Sequence, residues 1–259
     1  DTAKFLINQE GIDLNTQDKD GKTPFHSLLE EKRFSSFIRQ VLLTKHIDYN
    51  RQDKNGDTPL HLAIKTDQIE IAQTLLNNKL YSLDLSKKDH DGNTPLHLLI
   101  TKGQERLLEE LFGRAGVVAC FDLNVSNGKG ETIIMLAARA GYTGVVTQLL
   151  EYEKTSTEER NEQGQTALII ASLYGHTDIV RSLLADQWTS PDEVDSEGNT
   201  SLIISAARGY SEIVSALLYE VYPLQCSGGR QDTDLVDENK QNSKGITALM
   251  AAVRHNHED

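Results

Sequence analysis

Apolar positions in this chain fall into paired clusters, and a polar turn carrying a glycine separates each pair from the next. In the first pair Phe25, Leu28 and Leu29 are followed by Phe37, Ile38, Val41 and Leu42. In the second, Leu60, Leu62 and Ala63 are followed by Ile69, Ile71, Ala72, Leu75 and Leu76. Spacings of three and four residues put each cluster on one helical face, so the pattern predicts a succession of short helix pairs.

The turns before these pairs are near-copies of one stretch, Asp53-Lys54-Asn55-Gly56-Asp57-Thr58-Pro59-Leu60-His61-Leu62-Ala63. It recurs as Asp89-His90-Asp91-Gly92-Asn93-Thr94-Pro95-Leu96-His97-Leu98 and as Asp18-Lys19-Asp20-Gly21-Lys22-Thr23-Pro24-Phe25-His26, with weaker copies at Gly130, Gly164, Gly198 and Gly245. Successive glycines lie 35, 36, 38, 34, 34 and 47 residues apart, a period that predicts a stacked array. Asp-x-x-Gly suits a tight turn whose glycine takes a backbone conformation costly for other residues. Thr then caps the helix, and Pro fits its first turn because no N–H bond is lost there.

Seven phased copies of Gly-x-Thr-Pro-Leu-His-Leu-Ala or its weakened form resemble the ankyrin-repeat family over essentially all 259 residues. The resemblance implies an all-α solenoid: a β-turn finger, an inner helix and an antiparallel outer helix per repeat, each burying its neighbour's apolar face. It divides a single domain, 1–259, into repeats 21–55, 56–91, 92–129, 130–163, 164–197 and 198–244, with partial repeats at 1–20 and 245–259. The opening Ala3-Lys4-Phe5-Leu6-Ile7-Asn8 then matches an outer helix and Ala248-Leu249-Met250-Ala251-Ala252-Val253 an inner one, which suggests a piece of a longer protein.

Several segments depart from the pattern. Glu30-Glu31-Lys32-Arg33-Phe34 replaces the family's short inter-helix turn, and Gly113 to Phe121 is an apolar insertion expected to pad the core, with a surface bulge as the alternative. The excess of the sixth repeat falls in 222–234, whose Pro and paired Gly mark a loop that is either a binding appendage or decoration. From the fourth repeat on, the Pro-x-His pair becomes Ile133/Met135, Ala167/Ile169, Ser201/Ile203 and Ala248/Met250. Packing should survive this exchange, while the family's inter-repeat histidine hydrogen bond is lost.

Composition narrows the function. With 26 basic and 39 acidic residues the net charge is −13, which disfavours nucleic acid and anionic membranes as general partners. Cys120 and Cys226 make neither a disulfide framework nor a metal-type pair, so a reducing setting, cytoplasmic or nuclear, is expected. No window holds about 18 consecutive apolar residues.

Catalytic chemistry finds little support. His26, His61 and His97 occupy equivalent places, but repeats stack roughly 8–10 Å apart, whereas zinc ligands sit about 2 Å from one ion. They read as core histidines that bond to the fold. The tail His255 to Asp259 is too loose for a metal site, and Ser227-Gly228-Gly229 lacks the Lys-Ser/Thr and helix of a phosphate loop. No cofactor, metal or enzymatic activity is expected within the segment.

Binding is the expected function. By the resemblance, partners meet the turn tips and the concave ends of the inner helices. The tips, such as Lys54, Asn55 and Asp57 or Glu162, Gln163 and Gln165, are mixed in charge. The helix ends form a basic and aromatic stripe of Lys65, Lys102, Arg139, Leu173, Tyr174, Arg208 and Arg254, suited to an acidic peptide or protein surface. The plainer reading is of solvated helix ends favoured by the helix dipole. The expectation is therefore a monomeric protein–protein interaction scaffold. Two alternatives stand beside it: a module of a bacterial effector acting in host cytosol, or one that targets a catalytic domain outside the segment.

Overall fold

The computed structural model describes residues 2–7, 9, 12–31, 37–38, 41–42, 47–77, 83–113, 122–220 and 236–255. The loop at 222–234, both cysteines, and most of the Glu30–Phe34 turn, of the 113–121 insertion and of the acidic tail lie outside these residues. Helices and turns, with no strand, make up the described residues. The chain divides into two compact units: described residues up to 111 belong to the first, those from 112 on to the second.

In the first unit the inner helices Pro24–Glu30, Pro59–Lys65 and Pro95–Thr101 pack side by side, and the outer helix Ile69–Asn77 lies against Pro59–Lys65. Pro59 through Ile64 are buried without a break, which is why this helix is apolar nearly all round. The outer helix covers it from one side only: Ile71, Ala72 and Leu75 are buried, whereas Glu70 and Thr74 are exposed. Phe37, Ile38, Val41 and Leu42 are buried as the first pair requires.

The second unit repeats the arrangement. Ile133–Ala140, Ala167–Tyr174, Ser201–Arg208 and Ala248–Arg254 form its inner row, and Thr143–Leu150 and Thr177–Ala185 pack behind. The last outer helix, Ser211–Ser215, widens into a π-helical turn, Ala216–Glu220. Here a left-handed glycine ends each of the first three inner helices, and at Gly141 and Gly175 the aromatic after the next such glycine covers it. A Cβ on Gly141 would lie 2.8 Å from the His176 ring, and one on Gly175 3.0 Å from the Tyr210 ring. The sequence pairs Gly175-His176 and Gly209-Tyr210 thus join consecutive repeats.

Polar ladders run along the fingers. The Asp53 carboxylate accepts the N–H groups of Asn55 and Asp57 at 2.8 and 2.9 Å, closing the tip turn, and Asp89, Asn127, Asn161, Asp195 and Asn242 do the same in their own turns. Within each unit, successive tips are tied by a backbone bond, such as Lys54 N–H to the Asp20 carbonyl (2.9 Å) and Ser196 N–H to that of Gln163 (2.9 Å). Close approach forces the tip glycine: with φ at +72°, Gly164 would place a Cβ 2.9 Å from the Ser196 nitrogen.

Candidate functional site

The histidines and the cationic helix ends are the two sets of side chains that could carry function. The geometry of the histidines settles their role. The Nδ1 of His61 accepts from the Thr58 backbone N–H at 3.2 Å, so the proton must sit on Nε2, which donates to the Asn93 carbonyl at 3.1 Å. His26 repeats this with Thr23 (3.2 Å) and the Asp57 carbonyl (3.0 Å). One ring therefore caps its own helix and grips the next repeat. With both ring nitrogens engaged, neither His26 nor His61 has a lone pair for a metal. Burial, the dominant influence, pushes His61 down to about 4, against weaker opposition from its bond to Asn93 and from Asp89; it also lowers His26.

The helix-end stripe divides in two. Lys65 Nζ lies 2.6 Å from Asp57 Oδ1 and 2.9 Å from Asp89 Oδ2, and both carboxylates are almost fully buried. Desolvation alone would lower the Lys65 ammonium, but its bonds to Asp57 and Asp89 outweigh this and raise it. Burial raises Asp57, while at Asp89 the bonds from Lys65 and from Asn93 N–H overcome burial and lower it. Lys102 Nζ contacts Asp67 at 3.1 Å, and Arg139 is paired with the buried Glu131. These three cations thus face carboxylates of their own chain.

The rest of the stripe lies in the second unit. Leu173 is half-buried and Tyr174 is 49% exposed, its ring parallel to His176 within 7° at a centroid distance of 6.4 Å. Arg208 and Arg254 are exposed at the ends of their helices. Neither faces a carboxylate within ion-pair distance among the described residues.

The carboxylate partners are what reading the stripe alone misses. Their signal was present: in Lys22/Glu30, Asp57/Lys65 and Glu131/Arg139 opposite charges stand eight residues apart, joining the residue after the tip glycine to the end of the inner helix. At Ile246/Arg254 the same spacing offers no acid, and Arg254 has no carboxylate partner among the described residues.

No helix among the described residues is long and apolar enough to cross a membrane. The family model for ankyrin repeats (three copies) matches residues 1–89, 32–119, 78–158, 106–192 and 145–235 in overlapping stretches. The fold is similar to that of the ankyrin-repeat protein EF0377, with 24% identity and a TM-score of 0.62 over 76% of this chain and 92% of the other. It is also similar to the ankyrin-repeat domain of Bcl-3, an IκB-family member, with 21% identity and a TM-score of 0.60 over 90% and 95%. A search of the curated proteins finds no match.

Proposed function

Because the chain belongs to the ankyrin-repeat family, whose members are in general protein–protein interaction modules, we propose that it binds an acidic peptide or acidic protein surface through the inner-helix ends of its second unit. The observation that carries this reading is the pair of exposed arginines, Arg208 and Arg254, on neighbouring inner helices in a chain of net charge −13. Exposed cations with no carboxylate partner among the described residues can meet one from outside, and Tyr174 with Leu173 adds apolar contact beside them. Lys65, Lys102 and Arg139 take the lesser part, since a partner would compete with carboxylates that already hold them.

The test is a fluorescence-polarisation titration with labelled Glu-rich peptides at low and physiological salt. The double variant Arg208→Glu/Arg254→Glu should weaken the tightest peptide at least tenfold, with a smaller loss for Lys102→Glu. Equal affinity for wild type and double variant would end this reading.

A further inference from the structure

Across the second unit the inner-helix ends form a row whose steps differ in chemistry. Counting from the threonine that caps each inner helix, the seventh and eighth residues are Arg139 and Ala140, then Leu173 and Tyr174, then Ala207 and Arg208. Helix Ala167–Tyr174 packs on both Ile133–Ala140 and Ser201–Arg208, and Ser201–Arg208 packs in turn on Ala248–Arg254. The apolar pair and the arginine beyond it therefore have a described helix on either side.

Arg139 is already engaged. Its guanidinium holds Glu131, whose side chain is 5% exposed, and drawing it away would leave that carboxylate buried without its counter-charge. Leu173 and Tyr174 make the one apolar step. The Tyr174 ring is exposed but backed: it lies parallel to His176, whose own ring sits over Gly141 and bonds to the Arg139 carbonyl at 3.2 Å. Arg208, one repeat further, is exposed and faces no carboxylate within ion-pair distance among the described residues.

Spacing limits the shape of a segment that can use both. Packed helices lie roughly 8–10 Å apart, so the group resting on Tyr174 and the carboxylate on Arg208 must be separated by about that length along the partner. A β-strand covers it in about three residues but turns the third to the opposite face. An α-helix covers it in about seven residues on one face, yet brings an apolar stripe of several side chains to bury, and the row offers a single apolar step between two arginines. A polyproline II segment rises about 9 Å in three residues and completes one turn, so residues three apart point the same way.

We infer that the partner binds as a polyproline II segment in which an aliphatic or aromatic residue on Leu173 and Tyr174 stands three positions from an aspartate or glutamate on Arg208. The inference rests on the acidic-partner reading and adds conformation and register to it. It also makes the recognised motif one-sided. An acid three positions away in the other direction would meet Arg139, where Glu131 already holds the guanidinium.

Labelled Pro-rich peptides of equal length and composition, each carrying one Leu and one Glu set two, three or four positions apart in either order, test the register by fluorescence polarisation with the full chain. One order of the three-apart pair should bind at least tenfold tighter than every other spacing. A second Glu, three positions on the far side of the Leu, should change that affinity less than twofold. Arg208→Ala and Tyr174→Ser alter exposed side chains, so their circular dichroism should match the wild type, and either should bring the three-apart peptide down to the level of the others. Equal affinity at all spacings, or tighter binding of an Ala-rich helical peptide with the pair seven apart, would overturn the inference. If Arg208→Glu weakened those peptides all the same, the acidic-partner reading would stand without it. Should no Glu-bearing peptide bind, Glu-rich ones included, both fall.

Discussion

At the fifth residue after the tip glycine the first unit places His26, His61 and His97, and the second places Met135, Ile169, Ile203 and Met250. All but Met250, which is exposed on Ala248–Arg254, are buried, so the position has the same packing duty in both units. In the first, the ring fills it and also carries hydrogen bonds to its own Thr and to the following repeat. In the second, Thr166 and Thr200 still cap their helices through the N–H groups of Ile169 and Ile203, at 3.4 and 3.2 Å, but no ring at this position reaches across; the His176 ring does so from the next outer helix's start, to the Arg139 carbonyl at 3.2 Å. There the covered glycines and the finger ladders join consecutive repeats, helped by close-packed Ile and Ala. The comparison teaches that the array needs a filled position and enough joining bonds, not this particular one, and that the polar solution brings a titrating group into the core.

Acid should therefore separate the units. His61 titrates near 4 when folded and about 6.5 when unfolded, so between those values the unfolded chain holds the extra proton and stability falls as pH drops. The contribution is intact above about pH 6.5 and its loss by pH 4 amounts to ~3 kcal/mol for this one residue. His26 acts in the same direction. Hydrogen exchange, corrected for intrinsic rates, should show protection of Pro59–Lys65 falling over this range while Ala167–Tyr174 holds. Equal loss in both helices would break the comparison.

Giving the first unit the second unit's chemistry comes next in size. His61→Ile keeps the volume filled but strands the Thr58 N–H and the Asn93 carbonyl, which should cost about 2 kcal/mol at pH 7 in urea unfolding. The same variant should flatten much of the acid dependence in Pro59–Lys65. The reverse exchange, Ile169→His, should have the smallest effect. Thr166 and the Asn199 carbonyl stand where Thr58 and Asn93 stand around His61, so stability at pH 7 should change by about 1 kcal/mol. Exchange in Ala167–Tyr174 should then become acid-sensitive. If it does not, the ring requires more of its surroundings than these two partners.

Helix pairs, tip turns and caps were legible in the sequence because each is local. Apolar spacing fixes a helical face, Asp-x-x-Gly closes its own turn, and Thr-Pro starts a helix whatever lies beside it. The glycine period further dictated that such units stack, since none can bury its apolar face alone. Lys65 shows where that reading stops. In one dimension it is a cation at a helix end, and only the fold brings the carboxylates of Asp57 and Asp89, 8 and 24 positions away in sequence, to within 3 Å of it. Whether a charge is free or spent depends on distances between residues far apart in the chain. That is why the stripe of cations belonged to the sequence, while its division into paired ammonium and guanidinium groups and the open arginines 208 and 254 was decided by tertiary structure.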